Sequence, residues 1–370
     1  MPGRFLLKEE LLRERVGALD GIRGIAILMV LAFHAFVWRM PGDVSELGRV
    51  VTAYTRYGWL GVDLFFVLSG FLITGVLLDT RERPRYFRNF YARRALRILP
   101  LYYLCVVAIA ILYRGAGPFV AACVLYVPNL APLVGVPLLY GPLWSLAVEE
   151  HFYLAWPWLV RRFEGARLGA AVIVVCAAEP IARAIGHAVG ADTRMYTWFR
   201  LDGLAWGALG AMIVRSPRWR ERLPKVAGRL AASGLALLAI GLPFGILTRS
   251  RLVGAALEYV PFYALFLAGI LAAVDGRPRG WSRLLSFGPL RRCGDYSYFI
   301  YLFHELGFTL FGRVLPDDRF DRVVLRLVVV IPCCFIAAAI SYRYFEQPIL
   351  ALKRKFAVER ASADHLVAMR

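Results

Sequence analysis

Apolar windows of about 15 to 22 residues recur along this chain, each bordered by arginine, and that recurrence limits the fold more than any other feature. A helical run of about 20 apolar residues matches the hydrocarbon thickness of a bilayer. In lipid, every backbone amide must be satisfied inside its own segment, which selects helices for such runs. The windows fall near 20–38, 58–78, 98–113, 144–160, 168–185, 201–214, 230–247, 254–274, 296–313 and 323–342. The chain is therefore expected to be an all-α polytopic membrane protein with about ten transmembrane helices.

The net charge of +19 raises the question of a nucleic-acid partner, and its distribution answers it. With the N-terminus in the cytoplasm, the arginine-rich stretches 79–97, 161–167, 215–229 and 275–295 and the tail all fall on the cytoplasmic side. This is the positive-inside pattern; no nucleic acid is needed to explain it, and both termini are placed in the cytoplasm. The expected layout is a cytoplasmic N-terminal segment over 1–18, a transmembrane domain over 19–350 and a basic cytoplasmic tail over 351–370. The charged start has no small-residue cleavage site behind its first apolar run, so no cleavable signal peptide is expected. Residues 118–143 are apolar but broken by Pro128, Pro132, Pro137 and Pro142. A full span there would flip every later arginine-rich connection, so a re-entrant or interfacial element is expected. The six cysteines show no metal-ligand spacing, and no metal site is expected.

Ionisable residues inside spans are costly and mark candidate sites. His34 and Arg23 are eleven residues apart in "LDGIRGIAILMVLAFH", about 16 Å of helical rise and about 20° of rotation, so both lie on one face. Ser69, ten residues above Asp79 in the antiparallel second span, reaches the depth of His34. Glu150, counted from Arg161, reaches it as well. Glu149 and Glu150 are 100° apart, so at most one faces His34, and either can be that one. A neutral histidine beside a carboxylate suits a general base acting on a hydroxyl. A histidine hydrogen-bonded between helices is the plain structural alternative.

Seven arginines crowd residues 81–97. A lipid-phosphate anchor accounts for Arg81 to Arg88. Arg93, Arg94 and Arg97 lead straight into the third span, where Arg94 and Arg97 lie one turn apart and form a two-pronged clamp for a multiply phosphorylated ligand. Further candidates are Asp63, Arg200, Asp202 and His304, the last beside Glu305. A local ion pair of Arg200 with Asp202, a core role for His304 and an Arg343–Glu346 pair are the structural expectations.

With those residues in view, the chain resembles the acyltransferase 3 family of integral membrane O-acyltransferases. Seven blocks carry the resemblance in order from Leu19 to Pro348: "LDGIRGIAILMVLAFH", "GVDLFFVLSGFLIT", "FYARRALRILPLYY", "LWSLAVEEHFYL", "RLDGLAWGALGA", "YSYFIYLFH" and "YRYFEQP". The resemblance implies transfer of an acyl group from acyl-CoA to a hydroxyl of a sugar, glycolipid or small molecule, in a multi-pass protein of the cell membrane. It implies His34 as general base, Glu149 or Glu150 orienting it, Arg23 on the donor path, and Arg93, Arg94 and Arg97 as phosphate ligands. Acyl-CoA would be a co-substrate, with no permanently bound cofactor. Direct transfer is expected rather than an acyl-serine at Ser69. The acceptor classes are an envelope polysaccharide or glycolipid and a macrolide-type sugar, with acetyl as default donor group. A proton-coupled transporter or flippase is the alternative. The arginine trio and the lack of two related halves count against it.

Overall fold

The computed structural model describes residues 17–37, 46–275, 284–314 and 320–356, apart from the side chains of residues 320 and 354. The expected segment 1–18, except its last two residues, and the tail beyond residue 356 lie outside the described residues. Among the described residues the main helices before the final turns are α1 Gly17–Phe36, α2 Glu46–Thr55, α3 Leu60–Thr80, α4 Tyr86–Leu112, α5 Gly117–Val124, α6 Leu143–Arg162, α7 Gly165–Ala188, α8 Leu201–Arg215, α9 Leu223–Gly241, α10 Leu252–Leu257, α11 Val260–Val274, α12 Gly288–Val314 and α13 Phe320–Ser341. A π-type turn Tyr342–Glu346, α14 Gln347–Ala351 and a 3-10 turn Leu352–Phe356 complete the described chain; minor turns are omitted. Among the described residues there is no strand. The protein is an all-α polytopic membrane protein.

Among the described residues, seven segments are long and apolar enough to cross a membrane on composition alone. The other expected spans, 144–160, 201–214 and 296–313, are the helices α6, α8 and α12, each too short or too polar for that test. They carry the polar residues Glu149, Asp202 and His304 inside otherwise apolar helices. The stretch 118–143 forms α5, a 3-10 turn Ala131–Val134 and extended backbone. Phe119, Cys123, Asn129 and Tyr140 anchor it in the interior, so protein shelters its irregular backbone.

Helices in lipid have little hydrophobic reason to associate, so close contact through small residues takes over. α3 crosses α8 with Gly70 against the Leu204 carbonyl and Gly207 against the Val67 carbonyl, leaving no room for a Cβ at either glycine. α1 meets α12 the same way, through Gly24 against the Leu290 carbonyl and Gly294 against the Asp20 carbonyl. α3 is the most enclosed of these segments, while α7 and α9 are largely peripheral.

Two prolines set the inner geometry. Pro157 in α6 and Pro100 in α4 each remove a helical donor and strand carbonyls one turn earlier. Tyrosines bridge helices at these places. Tyr91 donates to the Leu154 carbonyl at 2.8 Å, Tyr86 to Pro157 at 3.2 Å and Tyr298 to Ile98 at 2.9 Å. α4 is thereby tied to α6 and α12. The expected third span began at residue 98, but the helix starts at Tyr86. Arg93, Arg94 and Arg97 therefore sit on rigid helix and not on a loop.

Candidate functional site

Five helices, α1, α3, α4, α6 and α12, line one cavity of about 120 Å3. Arg23 enters it from α1, Ser69 from α3, Arg94 and Arg97 from α4, and Glu149 from α6. Ser69 and Glu149 thus meet Arg23 here, and not His34, whose depth the residue count had matched to theirs. The Arg94 guanidinium lies over the Tyr153 ring at 3.8 Å, and the Tyr153 hydroxyl pairs closely with the Ser69 hydroxyl. Tyr153 is four residues after Glu149, on the same helical face, and both line the cavity. Arg94 Nε is buried without a hydrogen-bond partner among the described residues, so part of its donor capacity remains for a guest. Ser145 and Tyr301 share a 2.5 Å hydrogen bond on the far wall.

A second chamber of about 200 Å3 adjoins the first through Ile73, Arg94 and Arg97. Arg83, Arg93 and Lys353 add three more cations, and no carboxylate lines it. Together the chambers form a deep mixed pocket behind a cationic antechamber. An anionic head group with a long neutral arm has the matching shape and charge.

The doublet left open by the sequence is separated here. Glu149 lines the cavity; Glu150 does not, and His151 beyond it meets the Thr197 hydroxyl at 2.7 Å. His34 is not among the cavity-lining residues either. Its Nδ1 lies 2.9 Å from the Val30 carbonyl, and its ring meets His304 edge-on with centroids 4.8 Å apart. His304 is buried, with Nδ1 at 3.0 Å from the Ile300 carbonyl and 2.9 Å from that of Tyr301. The Tyr301 ring, 6.2 Å from His304, lines the cavity on its other side. The histidine pair therefore lies outside the cavity lining, with His304 next to the lining residue Tyr301.

The expected local pair of Arg200 with Asp202 does not form. At a spacing of two residues on a helix the side chains diverge. Arg200 instead reaches across to Asp63 on α3 at 2.6 Å, and Asp202 takes Arg183 of α7 at 2.8 Å. Tyr263 of α11 also donates to Asp63 at 3.1 Å, and Arg200 lies over the Tyr259 ring at 3.9 Å. These side chains are almost wholly buried and lock α3, α7, α8 and α11 together. Glu346 likewise accepts from Ser341 at 3.4 Å; it forms no ion pair with Arg343.

Sequence reasoning missed Tyr153, Tyr298, Tyr301, Ser145 and Lys353 as site residues. For Tyr153 the signal was its four-residue spacing from Glu149. Lys353 follows the last span by chain position alone, and no periodicity marks it.

A helical membrane chain with arginines, a glutamate and hydroxyl groups gathered at one internal cavity has the parts of an integral membrane group-transfer enzyme. The chain belongs to the acyltransferase 3 family: the family model described as an acyltransferase domain matches residues 16–343. It is similar to the peptidoglycan O-acetyltransferase OatA of Listeria monocytogenes, with 29% identity over 91% of this chain and 56% of that protein. It also matches the putative peptidoglycan O-acetyltransferase YrhL of Bacillus subtilis, at 31% identity over 90% of this chain and 55% of that one. For the O-acetyltransferase OatA of Staphylococcus aureus the figures are 26%, 90% and 56%. The chain spans about half the length of these curated relatives. No solved structure matches it. Membership of a family whose model is described as an acyltransferase domain counts against the transporter alternative.

Proposed function

We propose that this protein O-acetylates a hydroxyl of an envelope glycan, peptidoglycan being the first candidate, using an acyl-CoA donor from the cytoplasm. Ten spans with both termini cytoplasmic is the topology that goes with it. The observation that carries the reading is the continuity of the two chambers, a cationic one near the chain's arginine-rich face and a mixed one running inward from it. Phosphates bind Arg93, Arg94 and Arg97, and the pantetheine arm lies along Ser69 and Tyr153. The thioester then reaches the Tyr301 wall, in the direction of His34. Arg23 and His34 are separated by about 16 Å along α1, a span such an arm can bridge.

The chemistry follows from that placement. The acceptor oxygen attacks the thioester carbonyl carbon while His34 takes its proton, the carbon–sulfur bond breaks, and the departing thiolate is reprotonated. His304 packs on the His34 ring and restricts its orientation. Glu149 offsets the positive charge of Arg94 and Arg23 and keeps the cavity from trapping the anionic product.

The test supplies isotope-labelled acetyl-CoA and cell-wall glycan to membranes holding wild type, His34→Ala or Arg94→Ala at matched abundance. Labelled glycan ester from wild type only is the expected result. Label transfer that survives Arg94→Ala at low acetyl-CoA refutes the donor site, and transfer that survives His34→Ala refutes the base.

A further inference from the structure

The cationic antechamber has one wall that is not arginine. Lys353 comes from the 3-10 turn Leu352–Phe356 after the last span, and this turn packs back on α4, where Arg88 lies 5.8 Å from the Phe356 ring. The chain uses 41 arginines and only four lysines. At this position the difference has a chemical meaning, because arginine stays charged in any protein site while lysine loses its proton when buried among cations.

Several charged groups surround this part of the chamber. Arg97, Arg93 and Arg94 project from α4 and Arg83 from the turn before it, while Glu346 on the turn Tyr342–Glu346 faces Arg97. Among the described residues no carboxylate pairs with Lys353. Burial first, then Arg97, Arg93 and Arg94, push the Lys353 ammonium down to about 7. Releasing this proton relieves the crowding of positive charge around the chamber. A bound dianion reverses the balance and draws the proton back.

We propose that Lys353 is a phosphate-binding residue of the antechamber, which takes up one proton when a phosphate monoester binds and so favours a dianionic phosphate over a singly charged diester. A phosphate monoester carries close to two negative charges at neutral pH, which is what a protonated lysine between arginines can use. The inference rests on the donor reading above and deepens it: the 3′-phosphate of CoA is the group Lys353 would meet. Lipid headgroups ending in a phosphate monoester share that chemistry.

The sign of the pH effect is fixed by the direction of the shift. Below about pH 7 Lys353 is protonated with or without a guest, and the only change in affinity comes from the phosphate's own protonation at about pH 6. Above that, binding must take up a proton, so affinity falls as pH rises, by up to tenfold per pH unit. The experiment measures calorimetric binding of CoA and dephospho-CoA to the full-length protein in neutral-lipid nanodiscs between pH 6 and 9. Wild type is expected to bind CoA with that slope and dephospho-CoA more weakly and without it. Lys353→Met should weaken CoA at pH 6 to 7 and lose the slope. Lys353→Arg should keep the affinity and also lose the slope, an outcome a merely structural lysine would not give. Equal affinity and equal slope in all three proteins overturn the proposal and leave the donor reading standing. A wild type that binds no CoA overturns both. Nanodiscs with phosphatidic acid provide the lipid arm, and binding there that depends on Lys353 while CoA is ignored would also refute the CoA assignment.

Discussion

Removing either partner of the Asp63–Arg200 pair should cost far more than removing both. The two side chains are almost wholly enclosed and 2.6 Å apart, on α3 and at the start of α8. Asp63→Asn leaves the Arg200 charge without its closest anion, and breaking a buried pair in this way costs about 3–5 kcal/mol. The substituted amide still accepts from Tyr263, so that hydrogen bond limits the loss only slightly. Arg200→Met strands the carboxylate instead, at a similar cost. The double variant removes both charges. What remains is the lost stacking of Arg200 on Tyr259, about 0.5–2 kcal/mol, and imperfect packing of the new side chains. Asp202 keeps Arg183 throughout. The coupling energy of the cycle should therefore be at least about 3 kcal/mol, against about 0.5 kcal/mol for independent sites. Reversible unfolding in mixed bicelles, with steric trapping to reach the native-state free energy, reads this directly. Additive single-variant costs would refute the account of Asp63 and Arg200 as one buried unit.

Glu149→Gln should lower acetyl transfer about a hundredfold or more while Glu150→Gln stays within a few-fold, since only Glu149 lines the cavity, and a labelled-acetate assay at matched abundance compares them. Gly207→Ala should destabilise the protein by about 1–3 kcal/mol by forcing α8 off the Val67 carbonyl of α3, whereas Gly269→Ala, with open space beside it, should be neutral or better in a melting assay in detergent.

Much of this arrangement could be read from the sequence because helical rise is nearly constant. Counting residues from the charged span ends put Ser69 and the Glu149–Glu150 doublet at the depth of His34, yet Ser69 and Glu149 line the cavity with Arg23 and not with His34. Rotation about each helix axis is harder to read. Glu149 and Glu150 share a depth, and only the packing of α6 against α3 and α4 decides which one faces inward. The same uncertainty hid the position of His34. It shares a face with Arg23 on α1, but that face runs along α12 in the outer half, where His304 meets it. Asp63, Arg200 and Asp202 were visible as costly residues in apolar surroundings. Their partners come from helices over 130 residues away for Asp63 with Arg200, so no local spacing could pair them. Lys353 was hidden for a similar reason, since nothing local says that the chain after the last span folds back on α4.

The two charged regions of the fold differ in a way that has a measurable consequence. Around α8 each buried arginine meets a carboxylate across a helix boundary: Arg200 with Asp63, and Arg183 with Asp202. The antechamber instead places Arg83, Arg93, Arg94, Arg97 and Lys353 around a space that no carboxylate lines. Cations gathered without an anion oppose the compact state, so a polyanionic guest should stabilise the protein beyond ordinary contact. At a concentration one hundred times its Kd, a ligand that binds only the folded state adds about 2.7 kcal/mol. Acyl-CoA should therefore raise the melting temperature of the wild type, with an effect that shrinks in high salt as screening competes with the phosphates. Asp63→Asn should lower the melting temperature yet keep the same ligand increment, because its charge lies in the scaffold. Arg94→Ala should do the reverse, melting near wild type without ligand and gaining little from it. An equal increment in Arg94→Ala and wild type would mean that the cations serve the membrane surface and not a donor.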